Sequence, residues 1–275
     1  MILFDHVNKT YPDGTVAVED FSLEVPSHQV VVLLGSSGCG KTTLMRMVNR
    51  MVEPTSGEVW IDDDRVADLD PVRLRRRIGY VMQAGGLLPH RTIIDNVATV
   101  PVLNGQTRRA AHARARELLD LVGLPESVAP RYPSQLSGGQ RQRVGVARAL
   151  AADPNILLMD EPFGAVDPVV RAELQTWLLR IQDELAKTIL FVTHDVDEAF
   201  LLGSEVLVLR TGAEVAQRGT PADILLEPAD EFVTDFIGGP RRRLHTEVRE
   251  GRRLVVDAEG RVAGVATDGG TGGSA

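Results

Sequence analysis

The sequence reads Gly35-Ser36-Ser37-Gly38-Cys39-Gly40-Lys41-Thr42-Thr43 between an apolar run at residues 30–34 and a helix-forming stretch at residues 44–51. Its glycines allow backbone conformations that are closed to residues with a Cβ atom, so successive N–H groups can converge on phosphate oxygens at a helix start. We expect Lys41 to reach the β- and γ-phosphates of a nucleotide and the Thr42 hydroxyl to bind Mg²⁺. The pattern in this strand-to-helix setting predicts a phosphate-binding loop rather than a glycine-rich turn that binds nothing.

Composition limits the class of protein. The 275 residues are 43% apolar, which is enough for a sizeable core, and the net charge of −8 argues against an electrostatic grip on nucleic acid or anionic lipid. A single cysteine excludes an internal disulfide and fits a reducing compartment. We expect no signal peptide and therefore a cytosolic location. The longest apolar runs are strand-sized, so any membrane role has to come through a partner.

Strand and helix patterns predict the organisation of the chain. Strand patterns surround the loop, whereas helical patterns dominate a long stretch that we assign to a helical subdomain at about residues 84–152. The fold predicted is α/β: a P-loop core with a mixed, largely parallel sheet, an antiparallel β subdomain and an inserted helical subdomain. We place this domain at residues 1–238 and a C-terminal extension at residues 239–275, with a small hairpin at 254–265 and a flexible tail.

Two acidic residues end an apolar run, as expected for a buried parallel strand whose carboxyl edge carries chemistry. The run is Ile156-Leu-Leu-Met-Asp160-Glu161, and side chains alternate along a strand, so the two acids need not share one task. Asp160 can hold Mg²⁺, and Glu161 can polarise a water molecule for attack on phosphorus. A helix at residues 168–186 and a strand at 188–193 complete a crossover unit, which can bring His194 to the same edge as Glu161.

Four other residues are ambiguous when each is taken alone. Tyr11 lies at a turn and can stack on a purine or simply pack, and Gln83 can offer its amide oxygen to Mg²⁺ or water. Ser137 precedes a helix with several arginines, so it can be a plain helix cap or the start of a second anion site. Cys39 is expected to be a small filler within the loop, since no acid-base partner is readable beside it.

Taken together, these motifs resemble the ATP-binding-cassette (ABC) ATP-binding subunits of transporters. The phosphate loop, Gln83, Leu136-Ser-Gly-Gly-Gln140, Asp160-Glu161 and His194 occur in the order found in that family, and the likeness covers about residues 1–238. The stretch at 136–140 is its most specific mark. The resemblance implies ATP and Mg²⁺ as cofactors and a head-to-tail dimer in which each ATP lies between two chains.

The resemblance also implies residue roles. Glu161 is the implied catalytic base, supported by His194 at the γ-phosphate and by Lys41, while Tyr11 stacks on adenine. Gln83 senses the γ-phosphate and the membrane subunit, and Asp167 lies in the loop that crosses the dimer interface. The implied nucleotide-binding residues are Tyr11, Gly35, Ser36, Ser37, Gly38, Cys39, Gly40, Lys41, Thr42, Thr43, Gln83, Ser137, Gly138, Gly139, Gln140, Asp160 and Asp167. The implied metal-binding residues are Thr42, Gln83 and Asp160.

A finer resemblance is to ATPase subunits of osmoprotectant importers, which move glycine betaine, choline, carnitine or proline. It is carried by Met47-Val-Asn-Arg-Met-Val-Glu-Pro-Thr-Ser-Gly57 and Gly86-Leu-Leu-Pro-His-Arg-Thr-Ile93, parts of which amino-acid and sulfonate importers share. Many members of this branch continue into paired CBS regulatory modules. We expect the roughly forty residues after Gly238 to be too few for one such module.

The function implied is that of an ATPase subunit at the cytoplasmic face of the cell membrane, where it powers import. Its partners would be a second ATP-binding subunit, transmembrane permease subunits that dock near residues 84–91, and indirectly an extracytoplasmic binding protein; no nucleic acid is expected. One alternative is an importer of another small solute, and export is disfavoured. A soluble cassette ATPase acting on ribosomes or DNA usually fuses two cassettes or inserts long coiled coils, and neither is seen in the sequence.

Overall fold

The computed structural model describes residues 1–82, 86–164, 166, 168–238, 245–249, 252–256 and 262–265. The chain forms two compact units, Met1–Pro221 and Ala222–Ala275. The first unit contains the phosphate loop and both acidic residues at the end of the predicted strand. It therefore contains the residues predicted above to bind phosphate and metal.

Strands of the first unit form two sheets. They are β1 Ile2–Thr10, β2 Val16–Val25, β3 Val30–Gly35, β4 Ser56–Ile61, β5 Asp64–Arg65, β6 Ile78–Val81, β7 Ile156–Asp160, β8 Thr188–Thr193, β9 Glu205–Leu209 and β10 Val215–Gly219. Among the described residues, one sheet has the order β2-β1-β4-β5 and the other has the order β10-β9-β3-β8-β7-β6. Non-sequential neighbours in the larger sheet show that the chain crosses over between its strands.

The larger sheet is parallel except at one edge. Strand β3 pairs in parallel with β8 and β9, β7 pairs in parallel with β8 and β6, and the edge strand β10 runs antiparallel to its neighbour β9. Every residue of β3 and β8 is buried. Burial on both faces explains why these strands read as continuous apolar runs instead of alternating ones.

The smaller sheet is antiparallel throughout and contributes its apolar face to the same core as α1 and β3. Phe4 of β1 and Phe21 of β2 meet edge to face, with ring centroids 5.5 Å apart and an interplanar angle of 81°. Such a geometry is favourable for aromatic quadrupoles and adds to the burial of both rings. The predicted mixed sheet and antiparallel β subdomain are both present.

Helices cover the larger sheet and fill the segment between β6 and β7. They are α1 Lys41–Val48, α2 Pro71–Arg77, α3 Ile93–Val97, α4 Thr99–Leu103, α5 Arg108–Leu121, α6 Gly138–Leu150, α7 Pro168–Leu185 and α8 Val196–Leu202. Between β6 and β7, the regular elements of the described residues are all helical, from α3 to α6 together with two short 3-10 turns. This is the stretch in which the sequence predicts a helical subdomain.

Asp95 ties the first helix of this segment to the third. Its carboxylate accepts hydrogen bonds from the Thr92 hydroxyl at 2.9 Å and from Arg108 at 2.8 Å, and it contacts His112 Nε2 at 2.9 Å. Burial alone would raise the pKa of Asp95, but these hydrogen bonds outweigh it and lower the pKa to about 2. The carboxylate is therefore ionised at neutral pH and fixes α5 against α3.

The second unit contains two short helices and a small sheet. Helix α9, Pro221–Leu226, begins where the first unit ends, and α10, Glu231–Phe236, follows it. Strands β11 His245–Arg249, β12 Arg252–Val256 and β13 Val262–Val265 form an antiparallel sheet in that order. The sequence predicts a hairpin at 254–265 but does not predict β11. The predicted tail lies outside the described residues, and the domain bounds given above stay predictions.

Candidate nucleotide-binding site

The phosphate loop connects the buried carboxyl end of β3 to the first residue of α1. Two of its glycines adopt left-handed conformations, with φ of 82° at Gly38 and 112° at Gly40. Ser36, Ser37 and Gly38 are exposed, and a Cβ built on Gly38 would meet no atom within 4 Å. The outer part of the loop therefore forms an open cradle for an anion, at a helix start that no side chain of the described residues caps.

The inner part of the loop is packed tightly. A Cβ on Gly40 would lie 2.4 Å from the carbonyl oxygen of Ala17, and one on Gly35 would lie 2.7 Å from that of Leu209. The carbonyl oxygen of Cys39 accepts a hydrogen bond of 2.7 Å from the N–H of Ala213, and the Cys39 side chain is buried. These contacts hold the inner part of the loop against strands β2 and β9 and against the turn that contains Ala213.

Lys41 folds back into the loop. Its ammonium Nζ donates to the carbonyl oxygens of Gly35 and Ser36, both at 2.7 Å, and the residue is only 4% exposed. A buried ammonium group held by neutral carbonyls places a fixed positive charge beneath the cradle. This charge suits the loop to the phosphates of a nucleotide.

The start of α1 and the end of β7 bring a hydroxyl and a carboxylate together beside the loop. Thr42 Oγ1, in the first turn of α1, donates to Asp160 Oδ1 at 2.9 Å, and Asp160 is the last residue of β7. The other carboxylate oxygen, Oδ2, accepts a hydrogen bond of 3.2 Å from the hydroxyl of Tyr80. Asp160 is thus held from two sides.

Tyr80 contacts the site, but no motif in the sequence identifies it as a site residue. It lies in β6, in register with Leu158 of β7, and Leu158 lies on the same face of the strand as Asp160 because side chains alternate. Pairing of β6 with β7 is the signal that would reveal it. That pairing depends on the tertiary fold, since more than seventy residues separate the two strands.

Glu161 lies just beyond β7 in a left-handed conformation, with φ of 44°. Its N–H donates to the carbonyl oxygen of Val192 in β8 at 2.9 Å, so the turn is anchored to the neighbouring strand. Alternation along one strand, the predicted reason why Asp160 and Glu161 can take separate tasks, does not apply to Glu161. Strand β7 ends at Asp160, and Glu161 lies in the left-handed turn that follows.

His194 follows β8 directly and faces Glu161. Its Nδ1 lies 3.2 Å from Glu161 Oε1, the carboxylate side chain is 19% exposed, and the imidazole is 54% exposed. The predicted meeting of these two residues at one sheet edge is therefore present in the structure. An exposed imidazole next to a sheltered carboxylate can reach both a ligand and the acid beside it.

The residues on either side of His194 are fixed by hydrogen bonds. The Thr193 hydroxyl donates to Glu198 at 2.7 Å, and Asp195 caps α8 by accepting from the N–H groups of Asp197 and Glu198. Arg171, in the first turn of α7, donates to Asp195 at 3.1 Å. Burial raises the pKa of Glu198, whose side chain is almost fully enclosed. His194 therefore projects from a rigid frame.

Ser137 caps α6. Its Oγ accepts from the N–H of Gln140 at 3.2 Å, while its own N–H donates to Gln140 Oε1 at 3.1 Å, which is a reciprocal capping box. Ser137 is exposed, Gly138 starts the helix, and a Cβ on Gly139 would lie 2.3 Å from Val170 at the start of α7. Within the described part of the chain, no hydrogen bond joins Ser137 to the phosphate loop.

Tyr11 lies next to the phosphate loop. Its hydroxyl is 3.4 Å from Thr43 Oγ1, and the ammonium group of Lys9 lies 5.4 Å from the centre of its ring. The ring is therefore near the loop, as a stacking role requires. The two remaining predicted residues, Gln83 and Asp167, lie outside the described residues, so their places in the site stay predictions.

The residues that the structure brings together fit a magnesium nucleotide. A hydroxyl and a carboxylate oxygen 2.9 Å apart are the hard oxygen ligands that Mg²⁺ prefers, and the exposed glycine cradle leaves room for phosphates. Throughout the described ranges, no group of three or more His, Cys, Asp or Glu residues is suited to hold a metal ion alone. Phosphate and water would have to supply the other ligands, as is usual for Mg²⁺.

A P-loop cradle, a buried lysine, two carboxylates at the end of β7 and a histidine at the end of the adjoining parallel strand β8 define a nucleotide-binding cassette. The family model described as "ABC transporter" matches residues 18–164, and the chain belongs to this family. The family resemblance and the predicted fold class are thus confirmed. In the described ranges, none of the helices has the length and apolar character that spanning a membrane requires.

Sequence identity to ATP-binding proteins of transport systems supports this membership. The chain is 51% identical over 241 residues to the carnitine transport ATP-binding protein OpuCA of Listeria monocytogenes, an alignment that covers 88% of this chain and 60% of the relative. It is 49% identical over 238 residues to the glycine betaine uptake system ATP-binding protein YehX of Escherichia coli, covering 86% and 77%. The chain thus spans about 60% of the length of OpuCA.

A solved structure shows the same architecture. It is the dimeric, post-hydrolysis state of the ATP-binding cassette MJ0796 bound to ADP and Pi, with a TM-score of 0.74 and 35% sequence identity. The match covers 80% of this chain and 99% of that chain. The P-loop α/β architecture described above is therefore that of a solved cassette.

Substitution of the two left-handed glycines of the loop is expected to lower the free energy of unfolding by different amounts. Gly40→Ala combines an unfavourable φ with a 2.4 Å approach to a backbone oxygen, so we expect a loss of about 2–4 kcal/mol in unfolding free energy. Gly38→Ala meets no atom, so the backbone term of about 1–2 kcal/mol should act alone. Urea unfolding of both variants without nucleotide measures the difference, and equal losses would contradict the packing described here.

Proposed function

We propose that the chain is the ATP-hydrolysing subunit of an ABC importer for osmoprotectants such as glycine betaine, carnitine and choline. The observation that carries the proposal is the sheet edge at which Thr42 meets Asp160 at 2.9 Å and Glu161 meets His194 at 3.2 Å. Phosphate binding, metal binding and activation of water require such groups side by side. The names of the relatives support the class of solute.

ATP would bind along the loop with its phosphates in the cradle. Exposed loop N–H groups would hold the phosphate oxygens, Lys41 would neutralise the β- and γ-phosphates, and Tyr11 would stack on adenine. The contact of Tyr11 with Thr43 supports this placement, because it fixes the ring next to the helix that follows the loop. The nearness of ring and loop suits a ligand with a base at one end and phosphates at the other.

Thr42 and Asp160 would hold Mg²⁺, with Gln83 as a third protein ligand. The ion, when bound, neutralises charge on the β- and γ-phosphates and aligns them for transfer. The Thr42 hydroxyl can keep its hydrogen bond to Asp160 while an oxygen lone pair turns to a cation, since a hydroxyl carries one donor and two acceptor sites. The pair seen here therefore needs no rearrangement before it can act as ligands.

Glu161 would act as the general base. Its carboxylate would take a proton from the attacking water as the water oxygen bonds to the γ-phosphorus and the bond from that phosphorus to the bridging oxygen of ADP breaks. His194 would hold the γ-phosphate from the adjoining strand. The 3.2 Å contact between Glu161 Oε1 and His194 Nδ1 supports this role, because it places the carboxylate beside the group proposed to hold the γ-phosphate.

Each ATP would be completed by a second copy of the chain. Ser137, Gly138, Gly139 and Gln140 form a serine-capped helix start whose cap residue is exposed, and a helix N-terminus favours anions. In the proposed head-to-tail dimer this helix start would meet the γ-phosphate held by the partner, with Asp167 in the loop between the chains. The dimeric state of the solved MJ0796 cassette supports the pairing of two chains.

Solute choice would lie outside this chain. We infer that it docks on transmembrane permease subunits at the cytoplasmic face of the cell membrane and is linked through them to an extracytoplasmic binding protein. Differential binding supplies the driving force, because ATP favours the closed dimer and the hydrolysis products favour the open one. The carnitine and glycine betaine systems named for the relatives give the solute class, and the identities of 49–51% support the transfer.

Glu161→Gln tests the proposed base. Glutamine cannot accept the proton, so steady-state ATP hydrolysis should fall by about 10²-fold or more while ATP binding persists. Phosphate release measures the rate, and light scattering after size exclusion detects ATP-bound dimers, which should accumulate. Glu117→Gln, on the exposed side of α5, is the matched control and should hydrolyse ATP normally. An unchanged rate in Glu161→Gln would refute the role.

Ser137→Asp tests the shared site. Aspartate caps a helix as well as serine does, so the fold of α6 should be kept, but its charge would repel a γ-phosphate brought by a partner. In the Glu161→Gln background we expect loss of the ATP-dependent dimer with an unchanged melting temperature. Thr107→Asp, which places the same charge at the cap of α5, should leave the dimer intact. Dimers in both variants would contradict the head-to-tail arrangement.

The solute class is tested in the assembled transporter. The chain should be purified with its permease and binding protein, placed in liposomes, and assayed for ATP hydrolysis with glycine betaine, carnitine, choline, proline, a sulfonate and an unrelated amino acid in turn. We expect stimulation of several fold by quaternary amines, since a loaded binding protein would add to the preference of the ATP-bound dimer for the closed state. Stimulation by the sulfonate alone would overturn the osmoprotectant proposal but leave the ATPase intact.

A further inference from the structure

We infer that Tyr80 is a positioning residue that orients the Asp160 carboxylate for Mg²⁺. This inference rests on the proposed function. The Tyr80 hydroxyl donates to Asp160 Oδ2 at 3.2 Å, while Oδ1 accepts from Thr42 at 2.9 Å. One oxygen is therefore tied to the helix after the loop and the other to the edge strand β6. With both oxygens tied, the carboxylate cannot rotate freely about its Cβ–Cγ bond.

The position of Tyr80 is fixed by the packing of β6. Its backbone neighbour Gly79 is wedged between α6 and β7: a Cβ there would lie 2.4 Å from the Leu157 side chain and 2.6 Å from the carbonyl oxygen of Ala149. Parallel pairing of Tyr80 with Leu158 places the tyrosine side chain on the face of the sheet that Asp160 also occupies. Since β6 cannot shift against either neighbour, the tyrosine ring is a rigid support for a polar group two residues further along β7.

The hydroxyl of Tyr80 remains a donor at neutral pH. A tyrosine phenol keeps its proton at neutral pH, since its ordinary pKa is about 10, and it donates that proton to Asp160 here. A protonated phenol can donate to Asp160 but cannot replace it as an anionic ligand. Tyr80 thus acts through Asp160, and its effect should appear in metal binding before it appears anywhere else.

Loss of this hydrogen bond should loosen the metal ligand without disturbing the phosphate loop. Mg²⁺ demands near-ideal octahedral geometry, so a carboxylate that samples several orientations binds it less well. Groups that orient metal ligands are worth about 10- to 100-fold in metal affinity. The 3.2 Å bond is a long one, so we expect a value near the lower end, about tenfold.

The test is the Mg²⁺ dependence of nucleotide binding in Tyr80→Phe, which removes only the hydroxyl. Binding of a fluorescent, non-hydrolysable ATP analogue is titrated with Mg²⁺ and repeated in excess EDTA. We expect the half-saturating Mg²⁺ concentration to rise about tenfold, with the metal-free affinity and melting temperature unchanged and wild-type affinity recovered at saturating Mg²⁺. Tyr132→Phe, at an exposed tyrosine, is the matched control and should titrate like the wild type.

Each other outcome separates this inference from the proposed function. A wild-type Mg²⁺ curve in Tyr80→Phe overturns the positioning role while the proposed function stands. An equal loss of affinity in EDTA also overturns it, because the hydroxyl would then be supporting the loop and not the metal ligand. Nucleotide binding by the wild type that does not respond to Mg²⁺ overturns both.

Discussion

Parallel pairing of three buried strands is the constraint on which the site depends. Strands β3, β8 and β7 lie side by side with their carboxyl ends at one edge, and each is followed at once by a polar group: the phosphate loop, His194 and the pair Asp160-Glu161. Apolar residues on both faces hold the register, because a shift would break the sheet hydrogen bonds and expose part of the core. The core therefore places the chemical groups at one edge, and contacts among them then hold their side chains in position.

Parallel strand pairing brings these polar side chains near each other, and the local backbone conformation then determines where each side chain points. Asp160, still in the strand, turns to Thr42 and Tyr80, whereas Glu161 leaves the sheet through a left-handed turn and faces His194. A non-glycine residue at positive φ costs free energy that the rest of the structure has to supply. Here the N–H of Glu161 is fixed to Val192 of the adjoining strand, which offsets part of that cost.

Much of the fold can be predicted from the sequence because the patterns that indicate it lie within short stretches of the chain. Continuous apolar runs predict the parallel strands, and the glycine-lysine-threonine pattern predicts the loop together with the ends of β3 and α1. The role of Tyr80 is not readable from the sequence, because it depends on the pairing of β6 with β7, and the whole helical segment lies between these strands in the chain. The turn at Glu161 was missed because positive φ at a glutamate has no sequence signature. Strand β11 was missed because it follows a basic run with no clear alternation.

The capping box at Ser137 bears on the cost of assembly. The serine oxygen is occupied as an acceptor by the N–H of Gln140, and its single proton is not used in the cap. A phosphate approaching from outside could take that proton without unravelling the first turn of α6. In the proposed dimer, recognition at this surface would then require little ordering of the helix end, so that part of the cost would stay low through repeated association and separation.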